Sequence, residues 1–224
     1  MIVVVDTETT GLDPVTASIV EIGTVTVPGF DSFSCLVKPE HQIELPAMAA
    51  HHLTEEMVAE GVPLQDALIA TMIDKADYLC AHNAAFDSGF VKSDKPWICT
   101  YRCARHLWTD VPGYSNQVLR YWLKLDEQHL YDGDGKSIMQ LPPHRALPDA
   151  WVTAHILNIM LKGKTAEQLV ELTKAPILMT TVGFGMHYGK LWSDVPKDYL
   201  RWMLKQDFDR DSMFTAKYHL EMIR

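Results

Sequence analysis

The chain has 224 residues, of which 47% are hydrophobic and 22% charged, and its formal net charge is −9. These values are typical of a soluble globular protein with one well-cored domain and a small addition, and they exclude a low-complexity chain. The N-terminus lacks the basic flank and long apolar run of a signal peptide, and the apolar stretch from Trp151 to Leu161 is too short to span a bilayer. We therefore expect a cytoplasmic protein with no membrane partner.

The negative charge is concentrated in the first third of the chain. Residues 1–75 contain twelve acidic and two basic residues, whereas the remainder is nearly balanced. A later group of four basic residues with one acid among them offers the best candidates for contact with phosphate: Lys92, Lys95, Arg102 and Arg105. A solvated helix face explains each of these four equally well.

The first predicted element is a strand over residues 1–5, which is apolar on both faces and typical of the middle of a covered sheet. Asp6 and Glu8 follow at its carboxyl end and point the same way, because strand side chains alternate with a period of two. Two carboxylates this close raise each other's pKa unless a cation neutralises them. Carboxylate oxygens suit Mg²⁺ or Mn²⁺. Alone, the pattern also fits two acids in a solvated turn.

Further elements follow in an order that predicts an α/β fold. Strands are predicted at 19–27 and 32–37 around the Pro28-Gly29 turn, at 78–81 and at 98–100. A short helix is predicted to open at residue 54, and longer helices at 63–73, 101–108, 115–124 and 147–161. The elements together predict a mixed five-stranded sheet with flanking helices.

Two other patterns partly resemble metal sites. Cys99, Cys103 and His106 lack a fourth zinc ligand at standard spacing, and the absence of a C-x-x-C pair among the four cysteines favours reduced core residues. The segment Asp132–Gly135 resembles the start of a calcium loop. It lacks Gly at the sixth position and Glu at the twelfth, so a turn is predicted there instead.

Two more acids are predicted to reach the same sheet edge as Asp6 and Glu8. Asp87 follows the fourth predicted strand, and Asp149 lies near the start of the helix at 147–161 on the face expected to pack against the sheet. An aspartate at a helix start is often only an N-terminal cap. Four acids converging on one edge are harder to explain in that way.

These segments resemble the DEDDh (DnaQ-like) family of 3′-to-5′ exonucleases, which have a ribonuclease H-like fold. The family motif D-x-E-T-T-G-L corresponds to residues 6–12, N-x-x-F-D to residues 83–87 and H-x-x-x-x-D to residues 144–149. The other branch of the superfamily carries Tyr four residues before the last Asp, and position 145 here is Arg. Three motifs in order are far more specific than any one of them.

Further segments extend the resemblance over nearly the whole chain to the bacterial exodeoxyribonuclease X group. They are residues 46–51, 97–100, 114–116 and 178–181, with 184–190 and 199–202 in the tail. The resemblance departs at Met186, where the group usually has a basic residue, and at Pro148, where proline is unusual. The implied organisation is an exonuclease domain over residues 1–165, a helix and boundary over 166–179, and a small C-terminal α+β or helical module over 180–224.

The resemblance also implies the chemistry, which is two-metal hydrolysis of phosphodiesters at DNA 3′ ends, single-stranded or at a duplex terminus, in DNA repair or recombination. Asp6, Glu8 and Asp149 would hold one Mg²⁺ or Mn²⁺ ion. Asp6 would bridge to a second ion, whose water shell Asp87 would hold. His144 would be the general base, because a neutral imidazole accepts protons near neutral pH.

The substrate contacts are predicted from the same motifs. Backbone groups around Glu8 and Thr9 would receive the terminal 3′-OH, and Leu12 would contact the terminal base or simply pack. The residues predicted to bind substrate are Thr9, Leu12, His51, Asn83, Phe86 and Ser115.

Three alternatives remain open at this point. An RNA-trimming exoribonuclease or a polymerase proofreading subunit would use the same residues, and nothing in the sequence reads a 2′-OH. An inactive nucleic-acid-binding scaffold is a different class of function, against which the complete set of five catalytic residues argues.

The region from about residue 180 is expected to contact nucleic acid, because it carries basic residues among aromatics. The alternatives are that its aromatic residues form the module's own core or that it docks a protein partner. The residues concerned are Phe184, Tyr188, Lys190, Trp192, Lys197, Arg201, Trp202 and Lys205.

Overall fold

The structure is a computed structural model that describes residues 1–125, 137 and 142–222. It divides into two compact units, Met1–Thr173 and Lys174–Arg224. The predicted turn at Asp132–Gly135 lies outside the described residues. Within the described ranges, no helix has the length and hydropathy required to cross a bilayer.

The first unit is built on a five-stranded sheet with the strand order β3-β2-β1-β4-β5. The strands are β1 (Ile2–Thr9), β2 (Ile19–Val27), β3 (Ser32–Leu36), β4 (Tyr78–Ala81) and β5 (Trp97–Cys99). β1 pairs antiparallel with β2 and parallel with β4, while β2 and β3 are antiparallel and β4 and β5 are parallel. The predicted mixed sheet is confirmed.

Helices flank this sheet. They are α1 (Leu45–His51), α2 (Glu55–Val58), α3 (Leu64–Ala70), α4 (Ala84–Phe90), α5 (Thr100–Leu107), α6 (Asn116–Trp122), α7 (Ala146–Met160) and α8 (Ala166–Lys174). The helix predicted over 63–73 ends at Ala70, because Met72 takes a left-handed backbone (φ 61°) before a 3₁₀ turn at Ile73–Lys75. α1 and α4 were not predicted as separate helices.

The two faces of β1 face two separate parts of the hydrophobic core. Val3 and Val5 pack with the β2 residues Ile19 and Ile22 in one cluster, and Ile2 and Val4 pack with α7 in the other. This is the arrangement predicted for a central strand. It holds the carboxyl end of β1, with Asp6 and Glu8, in a fixed position.

α7 is enclosed on several sides, because it packs against β1 and β2 and also contacts α5 and α6. The sequence predicted one apolar stripe, but burial extends around most of the helix. Its buried residues are Ala146, Ala150, Trp151, Val152, Thr153, Ala154, Ile156, Leu157 and Met160.

All four cysteines are free; Cys80, Cys99 and Cys103 are buried in the core, and Cys35 is half-buried. Cys103 Sγ lies 3.3 Å from the carbonyl oxygen of Leu169. These cysteines therefore contribute as small apolar core residues.

The second unit is helical, with α9 (Lys197–Met203), α10 (Arg210–Met222), 3₁₀ turns at Gly185–His187 and Trp192–Asp194, and an isolated antiparallel bridge between Thr181 and Leu191. Its own core includes Val182, Trp192, Leu200, Met203 and Ala216.

The aromatic residues of this unit fall into two groups. Trp192 is 1% exposed and donates its indole N–H to the carbonyl oxygen of Thr181 at 3.0 Å, and Phe184 packs against it. By contrast, Tyr188 is 75% exposed and Trp202 is 47% exposed. Packing therefore accounts for Trp192 and Phe184, while Tyr188 is largely exposed and Trp202 packs on Tyr199 and Phe208 with about half of its surface exposed.

Candidate active site

Three carboxylates meet at the carboxyl end of β1. Asp6, Glu8 and Asp149 each place one carboxylate oxygen within 4.8 Å of the others. β1 supplies the first two from the same face of the strand, as its alternation predicted, and the first turn of α7 supplies the third. The structure thus brings together three of the four acids predicted to bind metal.

Burial and mutual repulsion make these acids difficult to ionise. Burial, followed by the charges of Asp87 and Asp149, raises the pKa of Asp6 well above its usual value. Burial and the charge of Asp149 raise the pKa of Glu8 to about 8. A cation bound among them would reverse this effect, because it favours the ionised forms.

Asp87 lies on α4 beside this group, although it is outside the 4.8 Å triad. Its Oδ1 accepts hydrogen bonds from the backbone N–H of Thr7 at 3.1 Å and from Thr7 Oγ1 at 2.9 Å. Burial raises the pKa of Asp87 to about 7, although the bonds from Thr7 lower it. Thr7, on the opposite face of β1 from Asp6, therefore fixes the fourth acid.

Both oxygens of Asp149 are held by hydrogen bonds. Gln117 Nε2 donates to Oδ1 at 2.7 Å, and the backbone N–H of His144 donates to Oδ2 at 2.8 Å. Burial raises the pKa of Asp149, while the bonds from His144 and Gln117 lower it. Asn116 Nδ2 donates to the backbone carbonyl of Asp149 at 3.2 Å, which ties α6 to α7.

His144 stands exposed two residues before α7. Its backbone is left-handed, with φ 59°, a conformation that costs a non-glycine residue about 1–2 kcal/mol. The hydrogen bond from its own N–H to Asp149 helps to hold it there.

A fifth acid, which the sequence analysis did not select, lies next to the triad. Glu21 is 5% exposed and is the direct cross-strand neighbour of Glu8. Arg145 binds it in a two-point contact, with Nη2 at 2.6 Å from Oε1 and Nε at 2.9 Å from Oε2. Arg145 also lowers the pKa of Glu8, as the last of the contributions acting on that group.

A cavity of about 280 Å³ opens beside the acids. Its lining includes Glu8 and four residues predicted to bind substrate: Thr9, Leu12, His51 and Phe86. Leu12 is 82% exposed, so it projects from the surface. Asn83 and Ser115 do not line this cavity.

His51 is more enclosed than predicted. It is 2% exposed; its Nδ1 accepts from the backbone N–H of Leu53 at 2.9 Å, which leaves Nε2 to donate to the carbonyl oxygen of Thr9 at 3.2 Å. Burial lowers the pKa of His51. Its contacts show it holding the Thr9 backbone at the cavity wall.

Asn83 and Ser115 occupy helix starts. Asn83 is exposed, has a left-handed backbone with φ 71° and immediately precedes α4, which carries Asp87. Ser115 caps α6, with its Oγ accepting from the N–H of Val118 at 3.4 Å. Each residue precedes a helix that carries a site residue, Asp87 on α4 and Gln117 on α6.

A protein-family model described as exonuclease matches residues 3–157. Exodeoxyribonuclease 10 of Escherichia coli K12 is 38% identical over 240 residues, with 99% of each chain covered. The chain belongs to the exonuclease family. Its D-x-E, N-x-x-F-D and H-x-x-x-x-D motifs place it in the DEDDh branch, and the resemblance to the exodeoxyribonuclease X group is confirmed.

Solved structures agree with this assignment. A structure described as Exonuclease X in complex with 5′ overhanging duplex DNA is 36% identical with a TM-score of 0.63, and the match covers 77% of this chain and 99% of that one. The nuclease domain of 3′hExo, described as a DEDDh family member bound to rAMP, has a TM-score of 0.54 at 20% identity, covering 72% of this chain and 91% of that one. The second likeness supports the fold alone.

Membership of the DEDDh exonucleases implies dependence on divalent metal, and the donor set fits such an ion. The triad offers only carboxylate oxygens, which are the ligands of hard divalent cations. Burial and the neighbouring acids raise the pKa values of Asp6 and Glu8, and a bound cation would favour their ionised forms.

The sequence analysis missed Gln117 and Glu21. Gln117 lies beside the matched segment ending at Asn116, but no residue pattern indicates that it reaches Asp149 on another helix. Glu21 did leave a signal, since it is an acid inside the otherwise apolar strand I-V-E-I-G. A buried acid in such a strand requires a partner.

Proposed function

We propose that this protein is a metal-dependent 3′-to-5′ exonuclease that hydrolyses DNA phosphodiesters from the 3′ end and releases nucleoside monophosphates. The observation that carries the proposal is the carboxylate triad of Asp6, Glu8 and Asp149, with Asp87 beside it and His144 bonded to Asp149. DNA as substrate is supported by the full-length likeness to an exodeoxyribonuclease and by the related complex with duplex DNA.

The triad would hold one divalent ion, Mg²⁺ or Mn²⁺, and Asp6 with Asp87 would serve a second. When bound, the two ions supply charge neutralisation for the carboxylates and Lewis-acid stabilisation of the phosphodiester. The hydrogen bonds to Asp149 and Asp87 keep these carboxylates oriented for that task.

His144 acts on the attacking water. Its neutral imidazole nitrogen accepts a proton as the water oxygen bonds to phosphorus, and the bond from phosphorus to the 3′-oxygen of the preceding nucleotide breaks. The departing chain end takes up a proton, so the products are a nucleoside 5′-monophosphate and a DNA strand one nucleotide shorter. A positioned base of this kind contributes about 10²- to 10⁴-fold in rate.

The cavity beside Glu8 receives the terminal nucleoside. Backbone groups around Thr9 meet the 3′-OH, Leu12 and Phe86 contact the base, and His51 holds Thr9 in place through its carbonyl oxygen. Asn83 and Ser115, at the starts of α4 and α6, are proposed to contact the substrate as well. Service in DNA repair or recombination is a further expectation from the resemblance.

The test compares 3′-labelled single-stranded DNA and RNA of one sequence, in Mg²⁺, in Mn²⁺ and with a chelator. We expect labelled nucleoside monophosphate from DNA in either metal and none with the chelator. Release from RNA alone would replace the proposal with the exoribonuclease. Binding of both strands without any release would indicate the inactive scaffold.

A further inference from the structure

Glu21 is the most heavily engaged acid beside the triad, and the chemistry proposed above gives it no part. Its Oε1 binds Nη2 of Arg145, while its Oε2 binds both Nε of Arg145 and the backbone N–H of Ala146, the latter at 2.9 Å. One carboxylate on β2 therefore holds two consecutive residues at the start of α7.

Gly23 strengthens the same contact. It lies two residues after Glu21, on the same face of β2, and a Cβ built on it would lie 2.5 Å from the carbonyl carbon of Ala146 and also too close to the nitrogen of Leu147. Only glycine lets the two backbones approach in this way. β2 therefore fixes the start of α7 in two ways: the backbone of Gly23 packs closely against that of Ala146, and Glu21 accepts hydrogen bonds from Arg145 and Ala146.

The residue immediately before this clamped pair is His144. Its left-handed backbone is unfavourable for a non-glycine residue and persists where the surrounding structure fixes it. Asp149 fixes the N–H of His144 on one side, and Glu21 fixes Arg145 and Ala146 on the other. The conformation that presents the imidazole is therefore held from both ends.

Arg145 also neutralises the charge of the buried Glu21 carboxylate. Glu21 is buried and pairs in register with Glu8, so an uncompensated charge on it would add to the repulsion among the acids. The two-point contact satisfies both oxygens of Glu21 with a permanent cation.

We propose that Glu21, together with Arg145, is a positioning residue for His144. The pair fixes the turn that presents the imidazole to the attacking water, and it raises the rate of hydrolysis through His144 alone. This inference rests on the proposed function, because it assigns Glu21 a task in the same site. The competing explanation is that the ion pair only stabilises α7.

A kinetic double-mutant cycle separates the two explanations in full-length protein. Glu21→Gln and Arg145→Gln are each expected to lower kcat by about 10- to 100-fold, the effect of a misplaced catalytic group, with KM and the metal requirement unchanged. His144→Ala loses about 10²- to 10⁴-fold. Glu21→Gln should cause no further loss when His144 is already Ala, and Arg145→Lys should recover part of the rate.

Multiplied losses in the double variant would overturn the inference, because they would show that Glu21 acts independently of His144. The matched control is Glu167→Gln, which changes an exposed glutamate on α8 that accepts a hydrogen bond from the hydroxyl of Tyr78. It should leave kcat unchanged.

A second measurement needs no activity. Amide hydrogen exchange of His144 and Ala146 in the metal-free protein should accelerate in Glu21→Gln and in Arg145→Gln, with the β1 amides unaffected. Unchanged exchange rates at His144 and Ala146 would overturn the inference that Glu21 and Arg145 fix this turn, even if both variants hydrolysed DNA slowly. If the wild-type protein released nothing from DNA, the proposed function would fail, and the exchange data would still decide whether Glu21 holds His144. If Glu21→Gln does not fold, Arg145→Gln breaks the same ion pair and provides both the kinetic and the exchange measurements.

Discussion

The backbone N–H of His144 donates a 2.8 Å hydrogen bond to Oδ2 of Asp149, so the assigned base and an assigned metal ligand fix each other's position. Each carboxylate oxygen of Asp149 accepts one hydrogen bond within the protein, the other coming from Gln117. A carboxylate oxygen has further lone-pair sites, so Asp149 keeps capacity for a cation. The fold itself therefore orients Asp149 through these two hydrogen bonds.

Asp6→Asn should abolish turnover without unfolding the protein. Folding raises the pKa of Asp6, so its ionisation destabilises the metal-free fold as the pH rises above the ordinary range of a carboxyl group. The variant should therefore melt at the same or a higher temperature than wild type at pH 8 with a chelator. Asp66→Asn, an exposed acid on α3, is the charge-matched control. Normal turnover by Asp6→Asn in saturating Mg²⁺ would disprove the assignment.

Gln117→Ala should weaken metal binding without abolishing hydrolysis. Loss of the 2.7 Å bond to Asp149 frees that carboxylate to rotate, and the loss of such supporting partners typically costs about 10- to 100-fold in metal affinity. The measurement is a titration of activity with Mg²⁺, which should shift to higher concentration with a similar plateau. Gln168→Ala on α8 is the control. An unshifted titration would show that Gln117 does not orient Asp149.

The sequence predicted the parts of the site that depend on local pattern. The alternation of side chains along β1 predicted that Asp6 and Glu8 lie on the same face. The apolar pattern of α7 predicted that Asp149 faces the sheet. The three motifs identified the family and, with it, the fold.

What the sequence could not predict depends on contacts between distant segments. Glu21 lies beside the site because it pairs in register with Glu8, and it binds Arg145, which is 124 residues later in the chain. Gln117 reaches Asp149 only because α6 docks on α7. Nor does any local pattern show that His51 is enclosed, since this follows from the packing of α1 near Thr9.

His155→Phe should make the protein more resistant to acid. The ring of His155 packs against those of Phe30, at 4.7 Å between centroids, and Trp151, at 5.9 Å, and burial lowers the pKa of His155 to about 4. The unfolded chain takes up this proton near pH 6.5, so stability from the neutral ring is complete above that pH and is lost as the pH falls towards 4. The loss amounts to about 2 kcal/mol by pH 5.

Urea unfolding of wild type and His155→Phe at pH 7.5 and pH 5 measures this difference. The midpoint of the variant should fall less on acidification. His41→Asn, which changes an exposed histidine, is the control and should follow wild type. Equal losses in all three proteins would rule out His155 as a source of acid sensitivity.

Truncation after Pro176 should weaken DNA binding while leaving the saturated rate on single-stranded DNA nearly normal. The removed unit carries the exposed aromatics Tyr188 and Trp202 and several basic residues, among them Lys190 and Arg201. Stacking on such side chains contributes about 1–3 kcal/mol per base, and basic residues add salt-dependent affinity. Affinities at two salt concentrations should show weaker, less salt-sensitive binding. Unaltered binding by a folded truncation would eliminate this role and favour docking of a protein partner.

The polarity of digestion tests the central claim most directly. Duplex DNA with a 5′ label on one strand is incubated with the protein and Mg²⁺, and the products are resolved at single-nucleotide spacing over time. The account predicts that the labelled strand shortens stepwise from its 3′ end, with nucleoside 5′-monophosphates released and no reaction in a chelator or with Asp6→Asn. Internal fragments at the earliest times, or immediate release of the 5′ label as a mononucleotide, would contradict it.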